Sequence, residues 1–424
     1  MSFQQGLSGL NAASKSLDAI GNNVANANTV GFKASEAQFA DVYANSLTGA
    51  GTSQIGIGVN VATVAQQFTQ GNITGSNNPL DVAINGGGFF RMSNNGTISY
   101  ARNGQFQLDK EGYIVNSGGS RLTGYTANAA GVLSTGAPAD LNISNADLPP
   151  QQTSKVEAML NLDSRKVAID PAVIPFDVNE PTSYHNASSV SVFDSLGNSH
   201  VMQTFFAKTS AGNWSVYGAV DGAPLNYTAA VAGPPAVPAS TAPIGTIAFG
   251  TDGTLTAATL AAMPLTLNLP VTTGATSPLS VKLDFTGTTQ FGAAFSVNTL
   301  NQDGYTSGRL SGFNIGKDGV MTGRYTNGKS ATLGQVVLAN FTNPNGLQPL
   351  GDNLWAATST SGAELVGGPG SGSLGSVQSS AVEDSNVDLT AELVNMITAQ
   401  RYYQANAQTI KTQDQVMQTL VNLR

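Results

Sequence analysis

Residues 389–421 read LTAELVNMITAQRYYQANAQTIKTQDQVMQTLV. Leu389, Leu393, Met396, Gln400, Tyr403, Ala407, Ile410, Asp414, Met417 and Val421 follow one another in alternating steps of four and three. That spacing places them on one stripe of a helix with coiled-coil periodicity, sustained for about five heptads. Ser385, Asn386 and Asp388 stand before it as candidate caps. The opposite end of the chain repeats the pattern: Phe3, Leu7, Leu10, Ser14, Leu17, Gly21 and Val24 share one stripe of a second helix. Such seams need partners. The two ends can pair with each other, so that everything between hangs from them as a nested insertion, or they can be ordinary core helices of a globular domain.

Composition favours the first arrangement. Charged residues make up 10% of the chain, against a usual share of about 25%. The first 32 residues hold only Lys15 and Asp18. The outer face of the front helix is therefore Gln4, Gln5, Asn11, Ser16, Asn22, Asn23 and Asn26, where a freely solvated helix would carry alternating charges. A neutral polar face suits contact with neighbours or the lining of a confined polar channel.

The net charge of −8 and the few basic residues argue against nucleic acid or anionic membrane as a partner. No apolar run approaches the roughly 18 residues of a membrane span. The opening MSFQQGLSGL has neither the basic region nor the apolar core of a cleaved secretory signal. The absence of cysteine removes thiol catalysis, disulfides and cysteine metal sites, and fits passage between redox compartments.

A chain of 424 residues exceeds one typical core, so two or three domains are expected. The expected fold class is α+β, mainly β, with four parts: terminal helices at 1–30 and 385–424, a connector at 31–78 and 363–384, a split β domain at 79–145 and 290–362, and an inserted β domain at 146–289. The split domain opens with PLDVAINGGGFF at 79–90 and YARNGQFQLDKEGYIV at 100–115, with Asn-Gly pairs as hairpin signals. FDSLGNSHVMQTFF at 193–206 reads as alternating strand in the insert, and the Pro/Ala-rich stretch 229–245 as a surface loop. Gly31, Gly49, Gly51, Gly56, Gly58 and Gly71 suggest a connector that acts as a hinge.

One nucleotide-binding pattern is present in letters: Gly323-Arg-Tyr-Thr-Asn-Gly328-Lys329-Ser330 fits G-x-x-x-x-G-K-[ST]. A P-loop must open a helix, but the following ATLGQVVLANF is alternating and β-branched. The segment reads as a hairpin with a two-residue turn. A secreted nucleotide-binding enzyme built on Lys329 is the distant alternative function. His185 and His200 lie in no hydrolase pattern and read as structural. No catalytic, cofactor or metal site is expected.

LNAASKSLDAIGNNVANANTVGFKAS at 10–35 resembles the amino-terminal signature of bacterial flagellar axial proteins of the rod and hook class. LVNMITAQRYYQANAQTIKTQDQVMQTLVNLR at 393–424 resembles their carboxy-terminal helix, and PLDVAINGGGFF their β-domain opening. SSVSVFDSLGNSH at 188–200 and VVLANFTNPNGLQPLGDNLW at 336–355 are similar to hook subunits; rod proteins are shorter and lack a large second insert. The likeness is patchy between 220 and 285. It implies an inner core of paired coiled-coil helices under two nested β-rich outer domains, polymerised into a short curved tube that joins rod to filament as a universal joint. It implies as partners the chain itself, distal rod and hook-filament junction proteins, the hook cap and the flagellar type III export apparatus. Localisation would be extracellular, after export without a cleaved signal. A rod-type axial subunit of the basal body is the near alternative.

Overall fold

The computed structural model describes residues 2–42, 56–128, 131–143, 147–228 and 240–422. The described chain is mainly β, with a long helix at each end, Ser2–Ala25 and Leu389–Asn422. It divides into two compact units. The first comprises residues 1–145, 311–324 and 330–424, and the second residues 146–310 and 325–329.

In the first unit the strands on either side of the insertion share one sheet. Ser330–Val336 pairs antiparallel with Arg121–Thr126, which in turn pairs with Phe89–Asn94. Phe89–Asn94 and Thr97–Ala101 form a hairpin with Asn95-Gly96 at its tip, both at positive φ, as this Asn-Gly pair predicts. Aromatic rings fill the face of this sheet. Phe89 lies 5.8 Å from Trp355 and Tyr100 lies 4.7 Å from Phe341, both edge to face, and Phe68 packs against Phe89 and Trp355.

The segment read as a connector carries a β-hairpin, Ser35–Val42 with Gly58–Gln66. A two-stranded hairpin alone is marginal in water, and here it lies along the amino-terminal helix. At its base, Ser35 exchanges two hydrogen bonds with the Asn23 side chain, each 2.8 Å. Toward its far end, Gln5 Nε2 donates to Gly56 O at 2.6 Å and Val59 N to Ser8 Oγ at 3.3 Å. Residues 8 to 23 of a helix span about 22 Å and residues 35 to 42 of a strand about 24 Å, so the lengths match.

The second unit is a sandwich of two sheets. Asn186–Phe193, Ser199–Ser210, Asn213–Val220 and Gly245–Ala248 form one, and Leu265–Leu269, Leu279–Asp284, Lys155–Asn161 and Ser296–Gln302 the other. Lys155–Asn161 alternates exposed and buried positions until its last residue, as a strand with one wet face requires. Trp214, Phe206, Val216, Leu160, Val281 and Phe285 fill the space between the sheets. FDSLGNSHVMQTFF forms the turn and inner strand of the first sheet, with Gly197 at positive φ. Most of the Pro/Ala stretch 229–245, like Gly49 and Gly51, lies outside the described residues.

Candidate assembly interface

The two terminal helices pack against each other through small residues. Gly6, Ala13, Ile20 and Asn23 are the buried positions of the amino-terminal helix, and Ala399 of the carboxy-terminal one. Gly6 lies against Ile410 and Gly9 against the Asn406 side chain. Asn23 Nδ2 reaches Glu392 Oε1 at 3.3 Å. Asp388 caps the carboxy-terminal helix, accepting from the N–H groups of Thr390 and Ala391. Asn386 instead ties Ala34 N to Gln67 O.

Of the apolar stripes, this contact takes in Ile410, against Gly6, and leaves many other members exposed. Phe3 and Leu7 are 52% and 47% exposed, while Leu10, Leu17 and Val24 are half-buried. On the other helix Leu389, Leu393, Tyr403 and Met417 are exposed, and Met396 and Ile410 are half-buried. Val394, Ile397, Tyr402, Val416 and Val421, outside the expected stripe except for Val421, are exposed too. Gly6, Gly9 and Ala13 bring the backbones close, and the larger side chains are left to either side. Asn23, assigned from sequence to the outer polar face, is only 2% exposed because its amide serves Ser35 and Glu392. Neutral asparagines can face inward wherever backbone groups await them.

The connector glycines supply close packing. Gly31 has φ +71, and a β-carbon there would stand 2.5 Å from Asn103 N. Gly58 abuts Ser8, and Gly71 abuts the Asp384 carbonyl. Gly56 receives Gln5. A side chain has no room at Gly31, Gly58 or Gly71, so glycine at these three positions has a packing reason besides the expected hinge.

The Lys329 motif is a hairpin. Val320–Tyr325 pairs with Ser330–Val336, Tyr325 N donates to Lys329 O at 2.9 Å, and Gly328 N to Tyr325 O at 3.0 Å. The loop is Thr326-Asn327-Gly328, one residue longer than expected, with Gly328 at φ +77 closing it. Lys329 Nζ sits 5.4 Å from the Tyr305 ring centroid, a cation over an aromatic face. Both histidines serve the fold. His185 Nε2 donates to Val167 O at 2.7 Å, leaving Nδ1 to accept from Lys208 N. His200 Nδ1 meets Asp221 at 2.7 Å and Nε2 meets Asp194 at 3.4 Å. The bond to Asp221 raises the His200 pKa. Among the described residues, no group of three His, Cys, Asp or Glu is placed to hold a metal, and no helix is long and apolar enough to cross a membrane.

Four family profiles match along the chain. Flagella basal body rod protein matches residues 3–33, and flagellar hook protein FlgE/F/G D1 domain 83–180. Flagellar basal body protein FlaE D2 domain matches 161–305, and flagellar basal body rod FlgEFG protein C-terminal 378–423. The first and last cover most of the two helices just described. The chain is 43% identical over 430 residues to the flagellar hook protein FlgE of Salmonella typhimurium, covering 100% of both. The chain belongs to the flagellar hook protein family. A hook protein of Borreliella burgdorferi is 32% identical over 461 residues, again spanning 100% of this chain and 99% of its own. The crystal structure of Helicobacter pylori flagellar hook protein FlgE2 is similar in fold, with TM-score 0.53 and 13% identity, over 73% of this chain and 100% of that one.

Proposed function

We propose that this chain is the structural subunit of the bacterial flagellar hook, polymerising through both terminal helices into a curved, flexible tube that passes torque from rod to filament. The observation that carries the reading is the row of large apolar side chains exposed on both terminal helices of a hook-family chain: Phe3, Leu7, Leu393, Ile397, Tyr403 and Met417. An apolar face of this length needs cover. Each such side chain fully buried between subunits would contribute roughly 1.5–3 kcal/mol, so several together offset the entropy of association. The coiled-coil pairing expected from the heptads belongs in this reading to contacts between copies. The β units then form the outer wall, where sparse charge leaves neighbours free to slide as the tube bends. Distal rod and hook-filament junction proteins would meet the two ends of the polymer, with the hook cap and type III export apparatus acting during its growth outside the cell.

Deletion of residues 1–28 tests the reading. The truncated chain should stay in the supernatant where the full chain pellets as polymer under salting-out conditions, while Trp214 and Trp355 keep their native fluorescence. Equal pelleting of the two would refute assembly through the amino-terminal helix.

A further inference from the structure

Glu383 is fully buried and faces two cations from distant parts of the sequence. Lys33 Nζ lies 2.6 Å from its Oε1 and Arg102 Nη1 3.2 Å from its Oε2, and the three side chains are at most 4% exposed. Gly71 N also donates to Oε1, at 2.9 Å, and Lys33 donates a second time, to Thr69 O at 2.7 Å. The Glu383 backbone carbonyl accepts from Gly31 N at 2.8 Å. The Arg102 guanidinium sits over the Phe89 ring, 5.2 Å from its centroid, with Nε lacking a hydrogen-bond partner among the described residues. Burial pushes the pKa of both Lys33 and Arg102 down, and the Glu383 charge opposes that push in each.

One carboxylate therefore serves two buried cations. Removing either cation leaves a neutral pair, whereas neutralising the carboxylate leaves two unpaired charges out of water, the more costly loss. Four stretches meet at this point: residues 31–34 after the first helix, 69–71, Arg102 at the end of the central hairpin, and 381–386 before the last helix. Gly71, Gly31 and Asn386 add backbone bonds between them.

We propose that Glu383 is a positioning residue whose charge docks both chain ends onto the Arg102 sheet as one event. The segment that follows the amino-terminal helix and the segment that precedes the carboxy-terminal helix are ordered together or not at all. The terminal helices thus leave the β unit at a fixed angle, set by a charge-locked joint.

Hydrogen exchange on the unpolymerised full-length chain tests this, a readout independent of the assembly reading. In E383Q, amides of 31–35, 67–74 and 381–386 should exchange at least about a hundredfold faster, all together, with 89–94 as an internal reference. K33M and R102M should each change those rates by less than about tenfold. Should E383Q loosen the whole unit, K33M/E383Q decides, because it removes one of the two unpaired cations and should recover protection relative to E383Q. Unchanged rates in E383Q, loss at one end only, K33M losses as large as those of E383Q, or a double variant no better than E383Q would each overturn the proposal.

Discussion

Gly9 and Asn406 meet across the terminal helix pair so closely that a β-carbon on Gly9 would stand 2.7 Å from the Asn406 amide oxygen. Asn406 Nδ2 is bonded to Tyr402 O at 3.0 Å, so the amide cannot swing aside without losing that bond. The helices thus approach at glycine, and the apolar side chains that would fill a wider contact remain available to other copies. Gly9→Leu should separate the pair and destabilise its docking by about 1–3 kcal/mol. A urea titration followed by helical circular dichroism would check this, and an unchanged helical transition would contradict it.

Gly31 and Gly370 make a matched pair of left-handed glycines. Their φ values are +71 and +79, but a β-carbon on Gly31 would strike Asn103 while the space around Gly370 is open. G370A should cost about 1 kcal/mol through backbone strain alone, and G31A clearly more. Equal shifts in unfolding midpoint would show that Gly31 is not packed as described.

The second unit should respond to pH through His200. Its pKa is raised first by the bond to Asp221, against burial, with Asp194 adding to the rise. Burial pushes the carboxyls of Asp221 and Asp194 up, but hydrogen bonds outweigh it and hold both below the ordinary range: His200 and Val201 N for Asp221, and Thr273 and Asn198 for Asp194. The imidazolium contribution is complete below the ordinary histidine pKa near 6.5 and is lost as pH rises through the raised value. The carboxylate contributions are present above the ordinary aspartate range and fade on acidification through the depressed values. Stability reported by Trp214, isolated in a W355F background, should therefore be highest between about pH 4 and 6.5 and decline on the alkaline side. H200Q should flatten that alkaline decline and cost about 1–2 kcal/mol at pH 6. An alkaline decline that survives in H200Q would assign it to another group.

Lys329 provides a control. Its ammonium rests over Tyr305 at the end of a strand hairpin. K329A should change stability by less than about 0.5 kcal/mol. Calorimetric titration of the parent chain with ATP should release no heat of binding. Saturable binding that K329A abolishes would restore the phosphate reading.

Periodicity was enough to read both terminal helices, because one apolar stripe with four-three spacing has few other folded forms. Alternation together with Asn-Gly and Gly turns likewise made the strand character of 79–125 and 193–206 legible. Periodicity could not say which face meets which. Glycine and alanine carry little hydropathy signal, so the Gly6, Gly9, Ala13 seam was hidden beside Leu7, Leu10 and Leu17. Asn23 was hidden for a related reason, since its burial depends on a backbone partner, Ser35, supplied by a hairpin whose docking is a tertiary fact. The glycines at 31, 58 and 71 look in sequence like freedom, and only the atoms beside them show that they are contacts. The Lys33, Arg102 and Glu383 cluster has no sequence signal at all, because its members are brought together from three separate regions.

Electron microscopy of the purified full-length chain, concentrated under salting-out conditions that strengthen apolar contacts, shows whether the terminal helices drive assembly into a tube. Curved tubes of uniform diameter are the expected result. Straight tubes would point to a rod-type subunit, and a chain that stays monomeric and folded at high concentration would contradict assembly through the exposed faces of the terminal helices.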